Sequence, residues 1–129
     1  MAKTALDLTP EERQTYRTRE AIERRQLADR RQTEARWCRA QQLATQAAKL
    51  LREEFGAQRV LLFGSAAHRE RFTPWSDVDL AAWGIPPERF YAAVAAVTGL
   101  DADIKVDLVD PDHCSPGLQA VLVSDGVVL

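Results

Sequence analysis

Residues 63–80 read FGSAAHRERFTPWSDVDL, and the spacing within them decides how the rest of the chain is read. An apolar run ends at Phe63 and gives way to the small pair Gly64-Ser65. After a gap of eleven residues, Asp77 and Asp79 stand two apart among apolar neighbours. On a strand, side chains alternate between faces, so these two carboxylates point the same way, roughly 6.6 Å apart along the chain. Two ionised carboxylates that close repel each other, and both stay charged at neutral pH only beside a cation or in screening water. Mg²⁺ takes oxygen ligands and commonly combines one or two carboxylates with substrate phosphates. Gly64 has no Cβ, so backbone can approach a phosphate closely there. A short helix starting at Ser65 would turn free N–H groups towards an anion. The segment therefore has the parts to hold a nucleoside triphosphate and its metal ions.

The pattern apolar-Gly-Ser, a gap of eleven, then Asp-apolar-Asp-apolar resembles the signature of the DNA polymerase β-like nucleotidyltransferase superfamily. The short chain and the wording TPWSDVDLAAWG at 73–84 resemble its minimal members, small proteins often paired with HEPN-domain toxins in toxin–antitoxin modules. The resemblance covers about residues 58–129. It implies that Asp77 and Asp79 are catalytic and hold Mg²⁺. It also implies that Gly64 and Ser65 bind the nucleotide, with ATP as the expected substrate. The family carries a third carboxylate on a later strand. In DADIKVDLVD, residues 101–110, Ile104, Val106 and Leu108 alternate on one face and Asp103, Lys105 and Asp107 on the other. Asp107, flanked by apolar residues, matches the family position best and would complete the catalytic and metal-binding trio. Asp101 and Asp103 read as loop acids.

One departure stands out. The minimal members usually carry an Arg-Gly pair soon after the Gly-Ser turn, whereas this loop reads AAHRERF at 66–72, with no second glycine. Arg69 and Arg71 are candidates to take over that arginine's part in nucleotide binding, since guanidinium matches phosphate geometry. The other reading makes them solvated loop arginines. Trp75 could stack on a nucleobase, though a tryptophan beside a strand is more often core. His68 is expected to be solvated.

The resemblance implies transfer of a nucleoside monophosphate, AMP from ATP, to a hydroxyl. The acceptor would be a tyrosine on a HEPN-type toxin partner, and the chain would act as its antitoxin. A non-enzymatic antitoxin or binding module that neutralises its partner by contact is the alternative.

Composition bounds the rest. The chain has 129 residues, 46% apolar and 28% charged, as expected for one globular domain that needs no staples. No apolar run reaches membrane-spanning length, and MAKTALDLTPEER at the start lacks an apolar signal core. A cytoplasmic protein is expected. Cys38 and Cys114 have neither metal nor redox spacing, and the two histidines are solitary. Charge is uneven: residues 1–53 hold 12 Lys and Arg against 8 Asp and Glu, whereas residues 54–129 hold 5 against 11.

Residues 1–56 are expected to form an N-terminal helical segment, an arm plus a packing helix, and residues 57–129 the nucleotidyltransferase core. Thr9-Pro10-Glu11-Glu12 is a helix start with a cap, a first-turn proline and a capping box. No Gly or Pro follows until Gly56. The segment is either one long helix or two helices with a hidden break. Trp37, Ala40, Ala44, Ala47, Ala48, Leu51 and Phe55 recur at helical spacing and predict a face packed on the sheet. In 11–36 the large apolar residues Tyr16, Ile22 and Leu27 share no stripe, and arginines dominate. That portion is either a solvated helix laced by Glu–Arg pairs or an arm for partner docking or self-association. Six acids among the arginines make nucleic acid the weaker partner class.

Strands are expected at Arg59–Phe63, Asp77–Trp83 and Ile104–Val109. A helix is expected from Pro86-Pro87, with Phe90, Val94 and Val97 inward, and another from about Ser115 to Ser124. The fold class is α/β, a small mixed β-sheet with packed helices, nucleotidyltransferase-like, preceded by the long helical segment.

Overall fold

Thr9 caps the first helix of the chain, its Oγ1 accepting from the Glu12 amide at 3.1 Å. In the computed structural model, which describes residues 8–129, this helix, α1, runs unbroken over Pro10–Phe55. The first seven residues of the expected helical segment lie outside the described residues. With no breaker before Gly56, nothing interrupts the hydrogen-bond ladder, and the one-helix alternative holds. Gly56 ends it at φ 75 with its amide on the Leu51 carbonyl, a left-handed conformation that glycine adopts at little cost. At 1.5 Å per residue, α1 is about 69 Å long.

The remaining elements are β1 (Arg59–Phe63), β2 (Val78–Trp83), α2 (Pro87–Thr98), β3 (Val106–Val109), α3 (Pro116–Asp125) and β4 (Val127–Val128). Single 3₁₀ turns lie at Ser65–Ala67, Arg69–Arg71 and Pro111–His113. The four strands form one mixed sheet in the order β3-β2-β1-β4. β1 runs antiparallel to β2 and β4, and β2 runs parallel to β3. The terminal valines pair with Leu61 and Leu62 as an edge strand.

Alternation along the strands gives each face its own core. Val60, Leu62, Val78, Leu80, Val106 and Leu108 face the main core with the inner half of α1 and with α2. The expected α1 stripe packs there, joined by fully buried Leu43, which the sequence reading did not include. On α2 the deepest residues are Ala93 and Val97, with Phe90 and Val94 only partly buried. The small side chain lets helix and sheet approach, so the larger neighbours sit at the rim. Leu61, Phe63, Ala81 and Leu122 form a smaller cluster under α3 on the opposite face.

The outer half of α1 contributes nothing to either cluster. Tyr16, Ile22 and Leu27 are exposed, and shallow grooves between its side chains, one lined by Gln14, Thr15, Thr18, Arg19, Ile22, Glu23 and Gln26, are open gaps along a lone helix. Among the described residues no helix is long and apolar enough to cross a membrane.

Candidate active site

Sheet register builds the site. Phe63 pairs with Asp79, and Asp79 pairs with Asp107, so one row of residues crosses three strands. Gly64 follows Phe63 and is carried against Asp79. A Cβ placed on Gly64 would lie 2.6 Å from Asp79 Oδ2. Gly64 also has φ 73 and ψ −158, a region essentially closed to other residues. Backbone and carboxylate touch there because the residue has no side chain. The 3₁₀ turn at Ser65–Ala67 starts directly after it, as the small-residue pair led one to expect.

Asp77 lies one residue before β2, so it is held by its surroundings rather than by the ladder. Its Oδ1 accepts from the Lys105 amide at 3.3 Å and lies 3.5 Å from Arg36. Asp107 pairs with the Lys105 ammonium at 3.2 Å. The Asp79 carboxylate, between them, makes no hydrogen bond or ion pair with any described residue. Burial pushes its carboxyl above the usual range, and the charges of Asp107 and Asp77 push it further; Lys105 opposes them. The acid in the middle is thus raised first by burial and then by its two acidic neighbours, with Lys105 as a partial offset.

Among the described residues no three His, Cys, Asp or Glu side chains already stand as a closed metal-ligand group. The two outer carboxylates lean on cations instead, Asp77 beside Arg36 and Asp107 beside Lys105. The residue chemistry nevertheless fits a hard divalent ion. The donors are all carboxylate oxygens, the central one has no partner, and bare backbone faces it.

The two loop arginines are engaged elsewhere. Arg69 pairs with Glu34 of α1 and lies over the Trp37 ring at 5.6 Å. Arg71 pairs with Asp125 at 3.4 Å. His68, expected to be solvated, is largely covered, with Nε2 3.2 Å from the Asp125 carbonyl oxygen. The loop folds back onto α1 and α3, which accounts for all three placements. Trp75 is 87% exposed, so the core expectation for it fails. Its amide bonds to Thr73 Oγ1 in a tight Thr73–Ser76 turn, which leaves the ring pointing out.

Arg36 and Lys105 were not singled out from sequence. Lys105 could have been found by its alternation with Asp107. Arg36 is one arginine among many on α1, and only its place one residue before Trp37, where the apolar stripe begins, distinguishes it.

No family model matches the chain, and no curated protein matches it. Solved structures do. A toxin–antitoxin with AMP-PNP is 26% identical at TM-score 0.54, covering 66% of this chain and 70% of that chain. A mutant of the toxin–antitoxin pair MntA–HpeT is 28% identical at TM-score 0.53, covering 66% and 69%. A tri-AMPylated Shewanella oneidensis HEPN toxin in complex with MNT antitoxin is 25% identical at TM-score 0.51, covering 69% and 70%. The resemblance to minimal nucleotidyltransferases of the antitoxin type, first carried by Gly64-Ser65 and Asp77-x-Asp79, is thus borne out by the fold of the chain.

Proposed function

We propose that this chain is a metal-dependent nucleotidyltransferase antitoxin that moves AMP from ATP to a tyrosine hydroxyl on a HEPN-type toxin. The observation that carries this reading is the partnerless Asp79 carboxylate, wedged between two other acids and the bare backbone of Gly64. Similar structures hold AMP-PNP and a tri-AMPylated HEPN toxin, which supports an adenine nucleotide and a HEPN toxin as the acceptor protein.

Asp77, Asp79 and Asp107 would hold Mg²⁺, which when bound would offset the carboxylate repulsion and polarise the phosphoryl group. Gly64 gives the triphosphate close access to backbone, and the Ser65 and Ala66 amides begin a turn and have no acceptor within it. Asp107 lies on the edge strand β3, where an incoming acceptor can reach it. The tyrosine oxygen attacks the α-phosphorus, the bond to the β-phosphate bridge breaks, and pyrophosphate leaves. The hydroxyl proton passes to Asp107. The outer half of α1, exposed and free of core duties, is the available docking surface for the toxin or for a second copy. A reaction that draws on ATP fits a cytoplasmic protein.

A contact-only antitoxin is the second reading. What favours it is the loop: Arg69 and Arg71, the candidates to neutralise the triphosphate, are paired with Glu34 and Asp125. Incubation with labelled ATP, Mg²⁺ and a HEPN-type toxin separates the two. The enzymatic reading expects label on the toxin, reduced about a thousandfold in Asp77→Asn if the lost ligand removes about 4 kcal/mol of transition-state stabilisation. Unlabelled toxin, inhibited equally by wild type and Asp77→Asn, sinks the enzymatic reading.

A further inference from the structure

Two loops lead into the strands that bear the acids, residues 73–77 before β2 and residues 101–105 before β3. Their ends must stay in register if Asp77, Asp79 and Asp107 are to converge. One side chain holds both. Arg36 of α1 donates through Nε and an Nη to the Ser76 carbonyl at 3.1 and 2.9 Å. The same guanidinium donates to the Asp103 carbonyl at 3.4 and 3.3 Å, and it stands 3.5 Å from Asp77 Oδ1. Its side chain is 20% exposed. Both grips are seated on ordered turns. Ser76 is buried, with its Oγ accepting from the Thr73 amide at 2.9 Å. Asp101 Oδ1 accepts from the Asp103 and Ile104 amides at 2.9 and 3.0 Å.

We propose that Arg36 is a positioning residue for the metal-binding acids: it clamps the β2 and β3 lead-ins to each other and to α1, and so sets the spacing at which Asp77 meets Asp107. The proposal rests on the nucleotidyltransferase reading for its metal, but not for its geometry. A planar guanidinium presents its donors in a fixed fork and can hold two carbonyls at once, which an ammonium does less well. Groups that orient ligands without touching the metal commonly change affinity by about 10–100-fold when removed.

The sign of the effect separates a clamp from a mere counter-charge. Were Arg36 only a cation near Asp77, removing it would make the site more negative and tighten divalent-ion binding. The clamp predicts the opposite. Mn²⁺ binding to the whole chain, followed by the spectroscopic signal of the free ion, needs no turnover. Arg36→Met keeps the apolar stem, and Arg36→Lys keeps the charge and guards against a simple folding failure. Both are expected to bind Mn²⁺ about tenfold or more weakly than wild type, with the aromatic circular dichroism of the wild type retained in Arg36→Lys. Unchanged or tighter binding in Arg36→Met overturns the proposal, as does wild-type affinity in Arg36→Lys or a wild type that binds no Mn²⁺. Label transfer by the wild type tests the enzymatic reading separately, so the two can fail independently.

Discussion

The two halves of α1 share one backbone and almost nothing else. Residues 37–55 bury Ala40, Leu43, Ala44, Ala47, Ala48, Leu51 and Phe55 against the sheet, and the guanidiniums of Arg36 and Arg39 at its threshold bind loops near the acids. Residues 10–35 bury nothing fully. Their order rests on the Thr9 cap, on local pairs such as Arg24 with Glu20 at 2.8 Å, on the Glu34–Arg69 pair at their inner end, and on continuity with the packed half. Helices this polar are marginal in isolation, so the inner half acts as the outer half's anchor. The difference teaches that a helix can be one structural unit and two functional ones.

Three substitutions sharpen or break that division. Leu43→Ala is expected to cost about 2–5 kcal/mol, read as a lowered denaturant midpoint, because Leu43 is fully buried beneath the sheet. Ile22→Ala in the same measurement should stay within about 0.5 kcal/mol. Comparable losses from the two would end the distinction between the halves.

Asp79→Asn should move in the stabilising direction. The carboxyl is held above its ordinary value, so the folded chain binds the Asp79 proton more tightly than the unfolded chain does. Stability is therefore lost as pH rises from the ordinary aspartate value, 3.8, through the raised one. The melting temperature of Asp79→Asn relative to wild type should rise across that window and level off above it, in metal-free buffer. A flat difference would mean that Asp79 carries no strained charge.

Smallest of all, Arg24→Ala should cost about 0.3–0.5 kcal/mol at low salt and less at high salt. Thermal melts at two ionic strengths check it. A larger, salt-independent loss would show that the outer half is held by something other than local pairs.

Local features were legible in the sequence, and long-range ones were not. The Thr9-Pro10 start, the Gly56 stop, the inward stripe of 37–55 and the Gly64-Ser65 to Asp77-x-Asp79 spacing each depend on residues close in sequence. Their outcome followed from periodicity and turn chemistry. The pairing of β4 with β1 joins residues more than sixty apart, and two valines carry too little pattern to announce it. Arg36 reaches Ser76 and Asp103 across 40 and 67 residues, and in an arginine-rich helix only its place beside the start of the apolar stripe marks it. Trp75 was misjudged for a related reason. Hydrophobicity alone favours burial, but the hydrogen-bonded Thr73–Ser76 turn fixes its direction outwards. Neither the pairing of Arg69 and Arg71, expected to meet phosphate or solvent, nor the covering of His68 could be read locally, because their partners, Glu34 and Asp125, lie on distant helices.

The uninterrupted course of α1 has a consequence for whatever grips its far end. A rod without a hinge works as a gauge, fixing both how far the grip lies from the acids and which way it faces. One inserted residue near position 28 would advance the tip by about 1.5 Å and turn it by about 100°. An inserted heptad would shift the tip much further yet nearly restore its azimuth. A partner engaged at both places would therefore respond to insertions with a rhythm set by the helical turn, tolerating some lengths and rejecting those between.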